Sequence, residues 1–177
     1  MRMIPLGRRF AIAFVALSLA GGLFRGQIAT ALVTRGDDAV RNGDPTAGVR
    51  YYHRALAIDP RTGRAADRLA FYLGMRHQPG DAETAIAVAT TALVQVPDDA
   101  ALLADRGLAE QRLRRWRAAE RDFGRAGVIG HDPRYDHLAG RVALRLGDVD
   151  EARQFFGLAL IHDPAFRPAR AALARLR

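Results

Sequence analysis

Cysteine and lysine are absent from the 177 residues, and Ser18 is the only serine. Without cysteine the chain cannot form disulfides, thiolate-ligated iron–sulfur clusters or a thiolate nucleophile. Because no Ser, Cys or Lys follows residue 25, serine-triad and Schiff-base enzymes are also excluded. Composition alone leaves carboxylate-based hydrolysis open, but no acidic pair stands out from ordinary helix caps, and no phosphate-binding glycine loop is present. We predict that the chain is not an enzyme and takes no cofactor.

The positive charge is unevenly spread. All 27 basic residues are arginines, and four of them lie in residues 1–25, which contain no acidic residue, so half of the net charge of +8 belongs to this segment. The remainder is mildly basic and has no pattern of stacking aromatics, so we do not predict nucleic-acid binding. An arginine-only, alanine-rich composition is more typical of a GC-rich bacterial genome than of a phosphate-binding surface.

The N-terminal segment, residues 1–25, has a basic start and an apolar run from Phe10 to Phe24, closed by Arg25. As a helix this run spans about 22 Å, which is short for a hydrocarbon core of about 30 Å. Two interpretations remain open: an uncleaved anchor, which we favour, and a signal peptide cleaved near Ala20. The first predicts a single-pass protein of the bacterial inner membrane, with a cytoplasmic N-terminus and the rest facing the periplasm or exterior. The second predicts a secreted or periplasmic protein.

The remainder of the chain repeats itself at about 34 residues. Four similar endings contain an alanine, and the four alanines are 37, 34 and 33 residues apart. A glycine lies upstream of each, at spacings of 38, 33 and 33. The alanines are Ala55, Ala92, Ala126 and Ala159, and the glycines are Gly36, Gly74, Gly107 and Gly140.

Each repeat has the pattern of two helices. In the last one, apolar residues recur at helical spacing on both sides of Gly147-Asp148, a pair suited to ending one helix and capping the next. The third repeat has Arg114-Arg115 in place of this pair. Three repeats end in Asp-Pro, where the aspartate is predicted to cap a helix that begins at the proline. Large residues three positions before the alanine fill the space between the helices, except in the second repeat, which has Ala89 there.

These glycines, alanines, large apolar residues and closing prolines resemble the tetratricopeptide repeat family over residues 29–165, although the early tryptophan of the family is absent from every unit. The resemblance implies an all-α, right-handed solenoid of about four helix-turn-helix repeats, with a concave groove and a closing helix. It divides residues 26–177 into repeats at about 29–62, 67–99, 100–132 and 133–165, followed by a capping helix at 166–177.

The resemblance further implies that the first helix of each pair lines the groove. Residues four apart share one face of a helix, and this spacing gives a groove that is apolar in the middle and basic at the C-terminal end. The predicted partner-binding residues are Arg41, Arg68, Tyr72, Met75, Leu108, Arg112, His137, Arg141 and Arg145. Such a groove suits a protein segment that is amphipathic or acidic. The competing interpretation is that Arg141 and Arg145 form a solvated face.

The strongest metal candidate is the stretch HDPRYDH, which brings His131, Asp132, Asp136 and His137 close in sequence. Asp132 is more simply explained as a helix cap, and residues 136 and 137 point to different sides of a helix, so no metal site is predicted. The favoured function is therefore an adaptor that binds another protein in the bacterial envelope. The alternative is an accessory subunit of a larger membrane complex, held through Phe10–Phe24. The oligomeric state is not predicted.

Overall fold

The structure is a computed structural model that describes the backbone of residues 6–76 and 78–176, and the side chains of residues 24–76 and 78–176. Over these residues the chain forms nine α-helices and no β-strand. The helices are α1 (Leu6–Arg41), α2 (Pro45–Ile58), α3 (Gly63–Arg76), α4 (Asp81–Gln95), α5 (Ala100–Arg112), α6 (Trp116–Gly130), α7 (Pro133–Leu146), α8 (Val149–His162) and α9 (Arg167–Ala174). The prediction of an all-helical repeat fold is confirmed.

The chain divides into two compact units, Met1–Ala65 and Ala66–Arg177. In the first unit, α1 packs along α2. In the second unit, each helix from α4 to α8 packs against the helix that follows it. Stacking of this kind is required because a single helix pair cannot bury its apolar stripe.

The predicted membrane location is wrong, because no helix within the described residues is long and apolar enough to cross a membrane. Most side chains of the predicted anchor, Phe10–Phe24, lie outside the described residues. Residues 25 and 26, the predicted boundary between anchor and repeats, both lie within the single helix α1.

The glycine-aspartate rule, a Gly-Asp pair in the turn between the two helices of a pair, holds in every helix pair except the third. Gly43 and Gly147 adopt φ values of +85° and +88°, a backbone that glycine takes without strain. In the third pair the same position, two residues before the second helix, is occupied by Arg114 with φ of +58°. A side chain in this left-handed region is disfavoured by about 1–2 kcal/mol. The third turn therefore keeps the shape of the others at the expense of backbone strain.

Only one of the three Asp-Pro endings starts a helix as predicted. Asp132 caps α7 by accepting a hydrogen bond from the backbone N–H of Arg134 at 2.9 Å, and Pro133 is the first helical residue. Asp59 instead accepts from the N–H of Arg61 at 3.0 Å, which closes a turn before α3 begins at Gly63. Asp163 closes an equivalent turn through the N–H of Ala165 at 2.8 Å. These two aspartates bind the backbone two residues ahead, so the prolines lie in the turn and not in the helix.

Close approach between paired helices depends on glycines that face aromatic rings. A Cβ atom at Gly36 would lie 2.5 Å from the ring of Tyr52, and one at Gly107 would lie 2.9 Å from the ring of Phe123. Gly140 faces the ring of Phe156 in the same way, at 2.6 Å. All three rings are fully buried. The glycines therefore provide the space that the aromatic residues three positions before the repeat alanine fill.

The second pair reverses this arrangement, and the prediction that Gly74 belongs to the packing glycines is not supported by its surroundings. A Cβ atom at Gly74 would meet nothing within 4 Å. The neighbouring Leu73 is 1% exposed, and Ala89, which replaces the aromatic residue, is fully buried. A larger residue on the first helix thus accompanies a smaller one on the second, which conserves the buried volume.

The last helix closes the second unit. Ala169 of α9 is fully buried and joins the cluster that contains Phe156 and Ala159 of α8. Phe166, Leu173 and neighbouring apolar residues pack against the same cluster. Because α9 covers the apolar face that α8 would otherwise expose, it acts as the predicted capping helix.

Candidate functional site

A concave basic surface of the second unit lies at the C-terminal ends of α5 and α7, the first helices of the third and fourth pairs. A cavity of about 490 Å³ is bounded by the end of α5, the start of α6 and one face of α7. It is lined by Gln111, Trp116, Arg141, Val142, Leu144 and Arg145. Two of the predicted groove residues, Arg141 and Arg145, are therefore placed together, one helical turn apart, at a cavity.

The positive charges at this cavity are available to a ligand. Arg141 and Arg145 are exposed, and within the described part of the chain neither forms an ion pair with a carboxylate. The guanidinium carbon of Arg145 lies 5.6 Å from the centre of the Trp116 ring. This cation–π contact holds the long Arg145 side chain over the cavity without neutralising its charge.

Trp116 and Gln111 were not among the predicted groove residues. Trp116 is the only tryptophan of the chain and is the first residue of α6, directly after the irregular turn at Arg114. The sequence does contain a signal for Trp116 as a site residue, because this tryptophan lies beside the one turn that departs from the glycine-aspartate rule. Its contact with Arg145, 29 positions away, requires the fold.

Arg112, another predicted groove residue, does not line the 490 Å³ cavity and makes a structural contact. Its Nη1 atom donates hydrogen bonds to the carbonyl oxygens of Leu73 and Gly74, at 3.2 and 3.0 Å. These carbonyls belong to the last turn of α3, where unpaired carbonyls and the helix dipole favour a cation. Arg112 therefore ties α5 to the end of α3, and its charge is partly used in doing so.

The residues predicted to form the apolar middle of the groove lie on α3 and α5, and three large apolar side chains of these helices are exposed. Met75 is 63% exposed, Phe71 41% and Leu108 37%. The rings of Phe71 and Tyr72 meet edge to face, with their centres 5.1 Å apart. Large apolar side chains that are exposed on the first helices of successive pairs can bind an apolar side chain of a partner.

Arg68, another predicted groove residue, belongs to a cluster of charged groups around a buried carboxyl. Asp105 of α5 is only 8% exposed. Burial raises its pKa to about 8, the nearby charges of Asp67 and Asp99 add to the rise, and Arg68 opposes it. The carboxyl of Asp105 is therefore largely protonated at neutral pH.

His137 is turned away from a free groove surface. Its ring lies 5.4 Å from that of Phe156 and 5.8 Å from that of Phe166, between α8 and the capping helix. Burial lowers the pKa of His137, and the charge of Arg141 lowers it further, so the imidazole is neutral at physiological pH. His137 thus supports the basic end of the groove through packing and adds no charge to it.

Arg41, the remaining predicted residue, lies in the first unit. It is the last residue of α1, is exposed and forms an ion pair with Asp38. The first unit also contains a cavity of about 740 Å³ along α1, near Thr30, Thr34 and Arg61, which does not include Arg41. Arg41 therefore belongs to the first unit and does not line the cavity of the second unit.

One carboxylate cluster has the composition of a metal site, but the guanidinium of Arg117 already lies among its carboxylates. Glu120, Asp148 and Glu151 bring oxygen atoms close together. Arg117 lies among them, with its nitrogens 3.0 Å from Glu120, 2.6 Å from Asp148 and 3.6 Å from Glu151. Because this guanidinium supplies the positive charge, we interpret the cluster as an ion-pair network that links α6 to the start of α8.

The fold and the site together define a repeat protein of helical hairpins with a basic, tryptophan-containing cavity. Comparison with solved structures shows that the fold is that of tetratricopeptide-repeat proteins. A crystal structure of MamA superimposes with a TM-score of 0.75 over 85% of this chain and 81% of that one, at 20% identity. A tetratricopeptide repeat protein from Parabacteroides merdae matches with a TM-score of 0.72 over 85% of this chain and 59% of that one, at 19% identity.

A third similar structure is the crystal structure of the APC/C hetero-tetramer Cut9–Hcn1. It matches with a TM-score of 0.69 at 18% identity, over 84% of this chain and 30% of that chain. No family model and no curated protein matches the sequence. At these identities the likeness establishes the fold, and the function must be argued from the site.

Proposed function

We propose that this chain is a non-enzymatic protein-interaction scaffold and that the cavity at Trp116, Arg141 and Arg145 binds an acidic segment of a partner protein. The observation that supports this proposal is the pair of exposed arginines, unneutralised among the described residues, at a concave surface. Guanidinium groups bind carboxylates through two parallel hydrogen bonds, so two arginines one turn apart suit successive acidic side chains.

The apolar surface of α3 and α5 supplies the second part of the proposed interaction. Arg112, four residues after Leu108 on the same face of α5, ties this helix to the end of α3 by hydrogen bonds to the carbonyls of Leu73 and Gly74. A segment with an apolar anchor and an acidic end would therefore place the anchor near Met75, Phe71 and Leu108. Its carboxylates would then reach Arg141 and Arg145. Burial of the anchor supplies affinity, and the charges supply orientation and rate of association.

The non-enzymatic part of the proposal rests on the inventory of side chains. The residues after position 25 offer no hydroxyl of serine, thiol or lysine amine for covalent catalysis. The carboxyl with the most strongly raised pKa, Asp105, is buried among Asp67, Asp99 and Arg68 and does not line the 490 Å³ cavity. The Cut9–Hcn1 assembly offers a parallel, because the likeness there is to a chain that works within a hetero-tetramer.

Fluorescence of the single tryptophan tests the proposal directly. We expect an acidic peptide with one leucine or phenylalanine anchor to change Trp116 emission on titration, and its glutamine-substituted counterpart to cause no change. The double substitution Arg141→Glu/Arg145→Glu should weaken binding about tenfold or more, because two favourable charge pairs become repulsive. The circular dichroism signal should be unchanged, because both arginines are exposed.

The matched control is Arg50→Glu/Arg54→Glu on α2, an exposed pair with the same spacing and the same change of charge. This variant should bind like the wild type. Equal weakening in both variants would reduce the effect to net charge and refute the assignment of the cavity. If only the cavity variant weakens binding, crosslinking in cells followed by mass spectrometry would identify the natural partner by its contacts with this surface.

A further inference from the structure

His131 and His162 are brought together by the repeat. His131 follows the last residue of α6, with φ of +49°, and His162 is the last residue of α8. Both precede an aspartate and a proline. The Nδ1 atom of His131 lies 3.4 Å from the Nε2 atom of His162. The His131 side chain is exposed, so this pair is accessible from solvent.

We propose that His131 and His162 form a two-histidine site for a zinc ion, in which Asp136 orients His162. The Nδ1–Nε2 separation of 3.4 Å is long for a direct hydrogen bond and matches the spacing of two nitrogen ligands on one ion. Hydrogen bonds from N–H groups are usually about 2.7–3.2 Å long. Two imidazole nitrogens that each lie about 2.0–2.1 Å from a tetrahedral zinc ion are about 3.3–3.4 Å apart.

Asp136 supplies the outer contact that histidine ligands of zinc usually have. The Nδ1 atom of His162 lies 2.7 Å from the Oδ2 atom of Asp136, which is fully buried. A carboxylate that accepts the Nδ1–H bond leaves the Nε2 lone pair of His162 directed at the ion and makes it a better donor. The carboxylate is confined, because any side chain at Gly127 would overlap it. Asp136 is thus a positioning residue.

The other acidic and histidine side chains nearby have different roles. Asp132 accepts hydrogen bonds from the backbone and the guanidinium of Arg134, which occupy both of its oxygens. His137 packs between Phe156 and Phe166. Within the described residues no third protein donor converges on the histidine pair. Water would therefore complete the coordination, as at zinc sites that keep open positions.

The choice of ion follows from the ligands. Neutral imidazole nitrogens suit zinc and related transition ions, whereas magnesium prefers oxygen ligands and retains its water. The site differs in this respect from the cluster of Glu120, Asp148 and Glu151, which offers only oxygen atoms and already contains Arg117. The histidine pair should therefore bind zinc without competition from magnesium, and this behaviour distinguishes it from the carboxylate cluster.

The test is a zinc titration of the full chain without a histidine tag, in competition with a chromophoric chelator. We expect one zinc ion to bind, and magnesium in excess to leave the affinity unchanged. His131→Ala should weaken binding at least tenfold, and it is expected to fold because the side chain is exposed. His53→Ala, which removes another exposed histidine, is the matched control and should bind like the wild type.

Asp136→Asn tests the positioning role, because the amide retains the shape and loses the charge. Loss of such an outer partner typically weakens metal binding by about 10- to 100-fold. Tetrahedral absorption bands on Co²⁺ substitution should appear in the wild type and be absent in His131→Ala. No saturable zinc binding, or equal affinity of the wild type and His131→Ala, would overturn the proposal. The result with His131→Ala decides the matter even if Asp136→Asn does not fold.

Discussion

Two glycines that the repeat pattern of the sequence aligns should respond oppositely to the same substitution. Gly140 lies on α7, where a Cβ atom would be 2.6, 2.8 and 3.0 Å from three atoms of the Phe156 ring. Gly74 lies on α3, where a Cβ atom would meet nothing within 4 Å. Gly140→Ala therefore adds a methyl group at a closed position, and Gly74→Ala adds the same group at an open one.

The expected magnitudes follow from two terms. Alanine is favoured over glycine within a helix by about 1 kcal/mol, and this gain applies to both variants. At Gly74 nothing opposes it, so Gly74→Ala should raise the free energy of unfolding by about 1 kcal/mol. At Gly140 the Phe156 ring is fully buried and cannot move aside. Overpacking of this kind costs about 1–3 kcal/mol, so Gly140→Ala should give a net loss of about 1 kcal/mol.

Urea unfolding of the full chain, followed by circular dichroism, measures this difference. The two variants should have transition midpoints on opposite sides of the wild type, with unfolding free energies about 2 kcal/mol apart. Gly107→Ala, which faces the Phe123 ring at 2.9 Å, serves as a second closed position and should also be destabilising. Stabilisation by all three substitutions would show that the rings do not confine these glycines, and would refute the packing argument.

Three further predictions concern the turns and the buried charges. Arg114→Gly should raise the thermal midpoint and stabilise the chain by about 1 kcal/mol, because it removes the strain of a left-handed arginine. The raised pKa of Asp105, about 8 when folded against an ordinary 3.8, means that stability falls as pH rises from about 4 to 8. Asp105→Asn should therefore become progressively more stable than the wild type over that range, as measured by unfolding at several pH values. Arg106→Gln should cost about 2 kcal/mol in urea unfolding, because it removes two hydrogen bonds, at 2.6 and 2.8 Å, from the buried carboxylate of Asp122.

The helix pairs were predictable from the sequence because their determinants are local and recur. A glycine near the end of one helix, an aspartate at the start of the next and apolar residues at helical spacing define a hairpin without reference to the rest of the chain. The spacing of the glycines and alanines also predicted which residues meet, as Gly140 and Phe156 do. Residues at the same place in each repeat have the same neighbours, so one packing rule explains three of the four pairs.

The departures from the repeat pattern could not be predicted, because they depend on buried side-chain volumes and on how far a long side chain extends in the folded chain. Leu73 replaces the glycine of the second pair, and the sequence shows this only if Gly74 is known to be one position out of register. Arg112 reaches the carbonyls of Leu73 and Gly74, more than thirty positions away, and a long flexible side chain has many destinations in a sequence. Asp59 and Asp132 are each followed by a proline but have different roles, because four residues separate the helices around Asp59 and only two separate those around Asp132.

The repeat itself explains why the candidate sites lie where they do. Positions shared by all units are occupied by packing residues, so they have no freedom to bind a partner. The cavity at Trp116 begins where the third turn departs from the glycine-aspartate rule, and the histidine pair occurs where two successive endings share His-Asp-Pro. In the first case a departure from the repeat frees a position, and in the second the repeat places two equivalent ligands side by side. Binding surfaces of such proteins should therefore be sought at positions that break the repeat and at pairs of polar residues that it duplicates.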